Sequence, residues 1–304
     1  MVLYDHHVRI TRRRLLAAGA AGLGLAAAGA GGVRLIDAGL LPGQSPVNEL
    51  LGRCDISVPA VPPAAGPIVD GAFPSVSRRT LVDYRLAYPP GFAPGSRLPV
   101  CLVLHGYGAD ARMAIEAGAY DRYLAAFVAA GGAPFALAAC SGGGGYWHPH
   151  PNDDPLGMLL REFVPLLADK GLATDRIGVL GWSMGGYGSL LCALTEPGRF
   201  AAVAASAPAI WLSYDEARKV NAGAFDSASQ WANYDLFARA REFAGVRVRI
   251  DCGEYDPFAP AVRALRARLP DPGVVHLAKG CHDSRFWRFT APMQLRFLGD
   301  AIAH

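Results

Sequence analysis

Arg176-Ile-Gly-Val-Leu-Gly-Trp-Ser-Met-Gly-Gly-Tyr187 is the stretch that decides the fold. An apolar run over 177–180 ends in Gly181-Trp182-Ser183-Met184-Gly185, and a helix-compatible segment follows. This is a G-x-S-x-G turn in the strand–turn–helix setting that exposes a serine as a nucleophile. Such a turn swings the serine off the strand end in a strained conformation and brings its flanks very close. Side chains at 181 and 185 would collide there, and both positions are glycine. The helix expected from Met184 aims its free N–H groups back at Ser183, which favours negative charge developing beside it. With 36 glycines in 304 residues the pentapeptide alone also arises by chance, so its flanks and its partners elsewhere must carry the argument.

Outward from that turn, β and α patterns alternate. Strands are expected at 80–88, 98–104, 134–140, 200–205, 246–252 and 274–278. Helices are expected at 120–130, 156–168, 184–194, 231–243, 258–269 and 286–302. Continuous apolar strands alternating with helices predict an α/β fold, a mostly parallel central sheet with helices on both faces. Ligands of such sheets bind beyond the strand carboxyl ends, where Ser183 lies. The 208–233 insertion is short, so a small lid or none is expected over the cleft.

The composition, 52% apolar and 18% charged, supplies ample core. The formal charge of +3 misleads, because residues 1–30 hold four arginines and one aspartate and so carry the whole surplus. A neutral remainder argues against nucleic acid as a partner. Thr11-Arg-Arg-Arg-Leu-Leu16 precedes an uncharged Ala/Gly/Leu-rich run, the pattern of a twin-arginine export signal over 1–30, with Ala28-Gly29-Ala30 as its cleavage site. The alternative is an uncleaved anchor, since 15–33 gives 19 uncharged residues, barely enough to span a bilayer. Either reading places the body outside the cytoplasm, secreted or in the cell envelope, with membrane association through the N-terminus in the second case. Residues 31–75 read as an irregular linker or arm, because 55–75 is rich in Pro, Ala and Gly without a period.

Six cysteines, at 54, 101, 140, 192, 252 and 281, show no metal-finger spacing, so no zinc site is expected. Cys101 and Cys192 fall in apolar core segments. Cys252 and Cys281, each just before an expected active-site loop, are the candidate pair for a disulfide.

A serine hydroxyl needs a base within hydrogen-bond reach, and histidine titrates near working pH. His6 and His7 belong to the export signal, and His105, His148 and His150 precede the elbow, against the Ser…Asp…His order of this architecture. His276 lies inside a strand and His304 is the terminus. That leaves His282, in Lys279-Gly-Cys-His-Asp283 just past the last strand. Of the acids after the preceding strand, Asp251 sits within the strand's alternation. Asp256 lies past Gly253, at the reach of a loop toward the histidine, with Glu254 as the second choice. The carboxylate would hold the imidazole tautomer and stabilise the imidazolium. An oxyanion needs two backbone donors: Met184, which follows the nucleophile, and Tyr107 in His105-Gly-Tyr-Gly108. The plainer reading of 105–108 is a Gly-rich turn.

Leu104-His-Gly-Tyr-Gly108, Gly181-Trp-Ser-Met-Gly-Gly186, Gly253-Glu-Tyr-Asp256 and Gly280-Cys-His282 together resemble the α/β-hydrolase superfamily. Within it they are most similar to the Putative esterase group that holds esterase D (S-formylglutathione hydrolase) and the secreted mycolyltransferases. The resemblance covers about residues 78–304, so 76–304 is expected to be an α/β-hydrolase catalytic domain. It implies Ser183 as nucleophile, Asp256 as acid, His282 as base, Tyr107 and Met184 as backbone donors, and neither metal nor organic cofactor.

Cys140-Ser-Gly-Gly-Gly-Gly-Tyr-Trp-His-Pro-His150 matches neither named branch. His148, His150, Asp153 and Asp154 are a metal-ligand set only in composition, and a rim of the substrate cleft is the favoured reading. Trp147, Trp182 and Trp287 are candidates to line an acyl pocket, although core packing is the duller role for each. The expectation is an exported serine esterase acting on a small-molecule or lipid ester. The alternatives are an acyltransferase serving a sugar hydroxyl and an inactive fold-mate that only binds.

Overall fold

Eight strands form one sheet in the order β1-β2-β4-β3-β5-β6-β7-β8. They are β1 (Ile68–Ser75), β2 (Thr80–Ala87), β3 (Pro99–Leu104), β4 (Ala136–Cys140), β5 (Ala173–Trp182), β6 (Phe200–Ser206), β7 (Val248–Gly253) and β8 (Val275–Ala278). β1 pairs with β2, and β2 with β4, antiparallel; every other neighbour is parallel. The computed structural model describes residues 44–303, so the expected export signal at 1–30 lies outside the described residues.

The chain divides into two compact units, Met1–Asp55 and Ile56–His304. In the first, a helix over Gln44–Leu50 runs into a turn where Arg53 Nη1 donates to Asn48 Oδ1 at 3.0 Å. The second holds the sheet.

The apolar strands are buried on both faces, which is why they read as continuous hydrophobic runs. In β3, Val100, Leu102 and Leu104 enter one core layer, while Cys101 and Val103 enter the other. Four helices complete those layers: α1 (Tyr120–Ala129), α2 (Met184–Thr195), α3 (Ala259–Arg266) and α4 (Ser284–Ile302). Leu190 and Leu191 of α2 and Val262 and Leu265 of α3 fill the first layer. Tyr120 and Leu124 of α1 and Leu295 and Leu298 of α4 fill the second. Cys101, Cys140, Cys192 and Cys252 are free thiols buried within these layers, on β3, β4, α2 and β7. Among the described residues no helix is long and apolar enough to cross a membrane.

Three expectations are corrected. Residues 68–75 are not an irregular arm but the edge strand β1, with only Phe73 and Ser75 buried. An edge strand held by backbone pairing to β2 need not show apolar alternation, and Gly71 and Pro74 mask it further. The expected helix at 231–243 is instead a helix over Ala228–Asn233 and a 3₁₀ turn over Ala240–Phe243. Between them Asp235 Oδ1 accepts the Phe237 N–H at 2.8 Å, a local turn that competes with helical bonding. Cys252 is a free thiol whereas Cys281 is disulfide-bonded, so these two do not pair. Cys252 faces the core from within β7, which the spacing of the two residues could not reveal.

Leu102 is fully buried in the central strand. Leu102→Ala is expected to lower unfolding free energy by about 2–5 kcal/mol, read from the midpoint of urea denaturation at unchanged slope.

Candidate active site

β5 ends at Trp182 and α2 begins at Met184, so Ser183 alone makes the reversal between them. Its φ is 57° and its ψ −121°, a conformation L-residues avoid. Cβ atoms at Gly181 and Gly185 would overlap the Gly185 and Leu104 carbonyl oxygens, so only glycine fits either side. The strained residue is pinned at both ends: its N–H donates to Ser206 O at 2.9 Å, and its carbonyl accepts from Ala209 N at 2.9 Å.

The loops after β7 and β8 bring the partners. Glu254 N donates to Ala278 O at 2.8 Å and Tyr255 N to Gly280 O at 3.0 Å. Gly253 permits that approach, since a Cβ there would overlap the Gly280 carbonyl. From these joined loops His282 Nε2 lies 2.8 Å from Ser183 Oγ, and His282 Nδ1 lies 2.7 Å from Asp256 Oδ2. Asp256 is 1% exposed, and its second oxygen accepts the Phe258 N–H at 2.8 Å. Nδ1 therefore carries the proton donated to the carboxylate, leaving the Nε2 lone pair to receive the serine O–H. Phe258 and Trp287 stand edge-on to the imidazole at centroid distances of 5.2 and 6.0 Å and limit its rotation. Of the other acids, Glu254 is exposed, and Asp251 points to α4, where it accepts from Gln294 Nε2 at 2.8 Å.

Burial alone would lower the His282 pKa. The charge and hydrogen bond of Asp256, with Asp283 beyond it, outweigh burial and hold it above the ordinary value of 6.5.

Met184 opens α2, so its N–H has no intrahelical acceptor. The elbow packs directly on the end of β3, where Leu104 O and His105 O face Gly185. Tyr107 is there in a turn closed by Ala109 N donating to Gly106 O at 3.2 Å, with Gly108 at φ 74°. The Met184 amide and the Tyr107 turn thus lie on adjoining segments, and the Tyr107 side chain is 61% exposed.

His105, set aside as a base by chain order, holds this turn. Its Nδ1 donates to Gly106 O at 2.7 Å and its Nε2 accepts the Gly142 N–H at 2.8 Å, so one neutral tautomer satisfies both bonds. Burial pushes its pKa down to about 4 and keeps it in that form. The one sequence signal for this role is a histidine directly after an apolar strand and before Gly-x-Gly.

The three candidate tryptophans separate. Trp147 is fully buried, lies against Gly142 and Gly188, and donates to His105 O at 3.2 Å, so it lines no cleft. A bulky ring beside two glycines is a packing device, which sequence proximity to the Gly-rich loop concealed. Trp182 is 5% exposed, donates to Ala114 O at 3.2 Å, and stacks on Trp287 at 4.2 Å. Trp287, only partly buried, is the one that reaches both His282 and open space.

The polar groups of the 140–154 loop are also engaged elsewhere. His148 is buried between Phe225 and Tyr234 and lies 2.8 Å from Ala224 O, and burial, aided by the His150 charge, lowers its pKa to about 4. Asp153 pairs with Arg78, and Asp154 caps a helix through the Gly157 N–H. These residues tie the loop to the 208–233 insertion and to the β1–β2 hairpin instead of converging on an ion.

The family described as Putative esterase matches residues 79–288, well over half of the chain. The chain belongs to that family. S-formylglutathione hydrolase of Rattus norvegicus is 32% identical over 104 residues, 32% of this chain and 36% of that protein. This esterase-family chain therefore aligns with about a third of that curated relative's length. Among solved structures it is similar to a ferulic acid esterase, with a TM-score of 0.67 at 20% identity over 79% of this chain and 100% of the other. It is also similar to Mycobacterium tuberculosis MPT51 (FbpC1), with a TM-score of 0.61 at 18% identity over 78% and 100%. At those identities the structures establish the α/β-hydrolase fold.

The raised His282 pKa has a defined sign. The base must be neutral, so kcat/KM on an ester should rise with pH through an inflection above 6.5. Asp256→Asn removes the charge that raises it, so the inflection should move down while kcat falls by about ten-thousandfold through the wrong tautomer. A pH profile of both proteins on one p-nitrophenyl ester measures both effects. The same shift contributes stability that is present at acid pH and lost as pH rises through the folded pKa.

Proposed function

We propose that this chain is a serine esterase that hydrolyses carboxylic esters through an acyl-enzyme. The observation that carries the reading is the hydrogen-bonded series Asp256–His282–Ser183, at 2.7 and 2.8 Å, beside a helix N-terminus. Ser183 Oγ attacks the ester carbonyl as its proton passes to His282 Nε2. The resulting imidazolium is stabilised by Asp256, and the carbonyl oxygen, now an oxyanion, rests on the Met184 and Tyr107 amides. The C–O bond to the alcohol breaks as His282 returns the proton to the leaving oxygen. Water, deprotonated by the same histidine, then attacks the acyl carbonyl and releases the acid with Ser183 restored. Export by the twin-arginine route, with the enzyme secreted or held at the cell envelope, is part of the same proposal and is supported by the pattern at residues 1–30.

A fluorophosphonate probe tests it. Covalent labelling is expected on Ser183 and absent in Ser183→Ala, which should also lose at least about a thousandfold in p-nitrophenyl ester turnover. A folded protein that takes no label would make it a binding fold-mate instead. The oxyanion assignment separates side chain from backbone: Tyr107→Ala keeps the N–H and should retain activity within a few-fold. Tyr107→Pro removes it and should lower kcat by about a hundred- to a thousandfold.

A further inference from the structure

A cavity of ≈ 590 Å³ lies between the segment that follows the Tyr107 turn and the first turns of α4. Trp287 is its shared wall with the site: it lines the cavity, stands edge-on to His282 and stacks on Trp182, the neighbour of Ser183. Ser284, two residues past His282, lines it too. An ester held on Ser183 extends into this space or away from it.

The polar lining is unequal. Three guanidinium groups, Arg112, Arg122 and Arg288, face two carboxylates, Glu116 and Asp121. Glu116 Oε1 already accepts from Arg112 Nε and from Arg85 Nη1, each at 2.8 Å, and Arg85 lies outside the cavity lining. Asp121 carries Arg122 as its sequence neighbour, and burial raises its carboxyl pKa while that guanidinium lowers it. On the donor side, Arg288 donates through Nε to Ala117 O at 3.2 Å, which leaves its two terminal nitrogens without an acceptor among the described residues. Arg122 donates no hydrogen bond through its side chain among the described residues and is exposed. Glu116 is thus engaged, while the terminal nitrogens of Arg288 and the guanidinium of Arg122 are open among the described residues, beside an aromatic face. A guanidinium pair in that state matches a carboxylate in both charge and geometry.

We propose that this cavity receives the part of the substrate beyond the scissile ester when that part ends in a carboxylate, with Arg122 and Arg288 holding the anion and Trp287 lying along the chain that leads to it. The inference rests on the esterase reading and names the substrate class of that site, an anionic ester.

Two matched pairs of esters test it from the two sides of the bond. On the acyl side, p-nitrophenyl hydrogen glutarate is compared with its neutral methyl ester. On the alcohol side, 4-acetoxyphenylacetate, whose methylene insulates the reacting oxygen from the charge, is compared with its methyl ester. The wild-type kcat/KM ratio of anionic to neutral substrate is expected to reach about fivefold in one pair. It should fall to about one in Arg122→Gln/Arg288→Gln. Both rates come from one enzyme preparation, so partial misfolding of the variant cancels in the ratio. A wild-type ratio at or below one in both pairs, or a preference that survives in the double variant, overturns the subsite and leaves the esterase reading intact. Failure to turn over any of the four esters, with no fluorophosphonate adduct, overturns both.

Discussion

The structure depends on one backbone reversal. Ser183 sits at φ 57° between a buried strand and a helix, where a non-glycine residue of ordinary context would not remain. Such strain, of order 1–3 kcal/mol, persists only where the surroundings over-determine it. Here they do: glycines clear both flanks, β6 and the segment after it bond the serine's N–H and C=O, and the end of β3 closes the remaining side. The close contact that forces glycine at 185 also brings the Tyr107 turn alongside the helix N-terminus. One constraint therefore places the Ser183 hydroxyl, a helix N-terminus and the Tyr107 turn together.

The parallel sheet supplies the rest. β5, β6, β7 and β8 stand in sequence order, so their carboxyl ends open on one edge and the loops after β7 and β8 are neighbours. A carboxylate left alone in so dry a place would be expensive to keep charged. Asp256 is not alone, because it accepts from the Phe258 amide and from His282. The imidazole is in turn biased toward its charged form by that carboxylate. In the proposed reaction, charge passing from serine to histidine meets groups already in place, with little reorganisation required.

How much of this was legible in the sequence follows from how local each signal is. The elbow, the Asp256 loop and the His282 loop each announce themselves by glycine after an apolar run, and chain order together with position just past the last strand selects one of eight histidines. The parallel strands read clearly because both their faces are buried. β1 did not, since an edge strand is stabilised by a neighbour's backbone and leaves little trace in its own residues. The break at Asp235 turns on a single side-chain bond that periodicity overlooks. The packing of Trp147 and the supporting bonds of His105 escape the sequence for a related reason. Their roles are set by what lies across the molecule, Gly188 for one and the Gly142 amide for the other.

The four buried thiols have a consequence of their own. Burial raises the pKa of each, so almost none is thiolate at neutral pH and the folded molecule offers a thiol-alkylating reagent little purchase at these four sites. Reaction has to wait for the layer around each sulfur to part. Because the sulfurs sit on β3, β4, α2 and β7, the sequence in which they become labelled would chart which region of the sheet loosens first. The chain carries its own set of opening clocks, spread across its width and silent while it is whole.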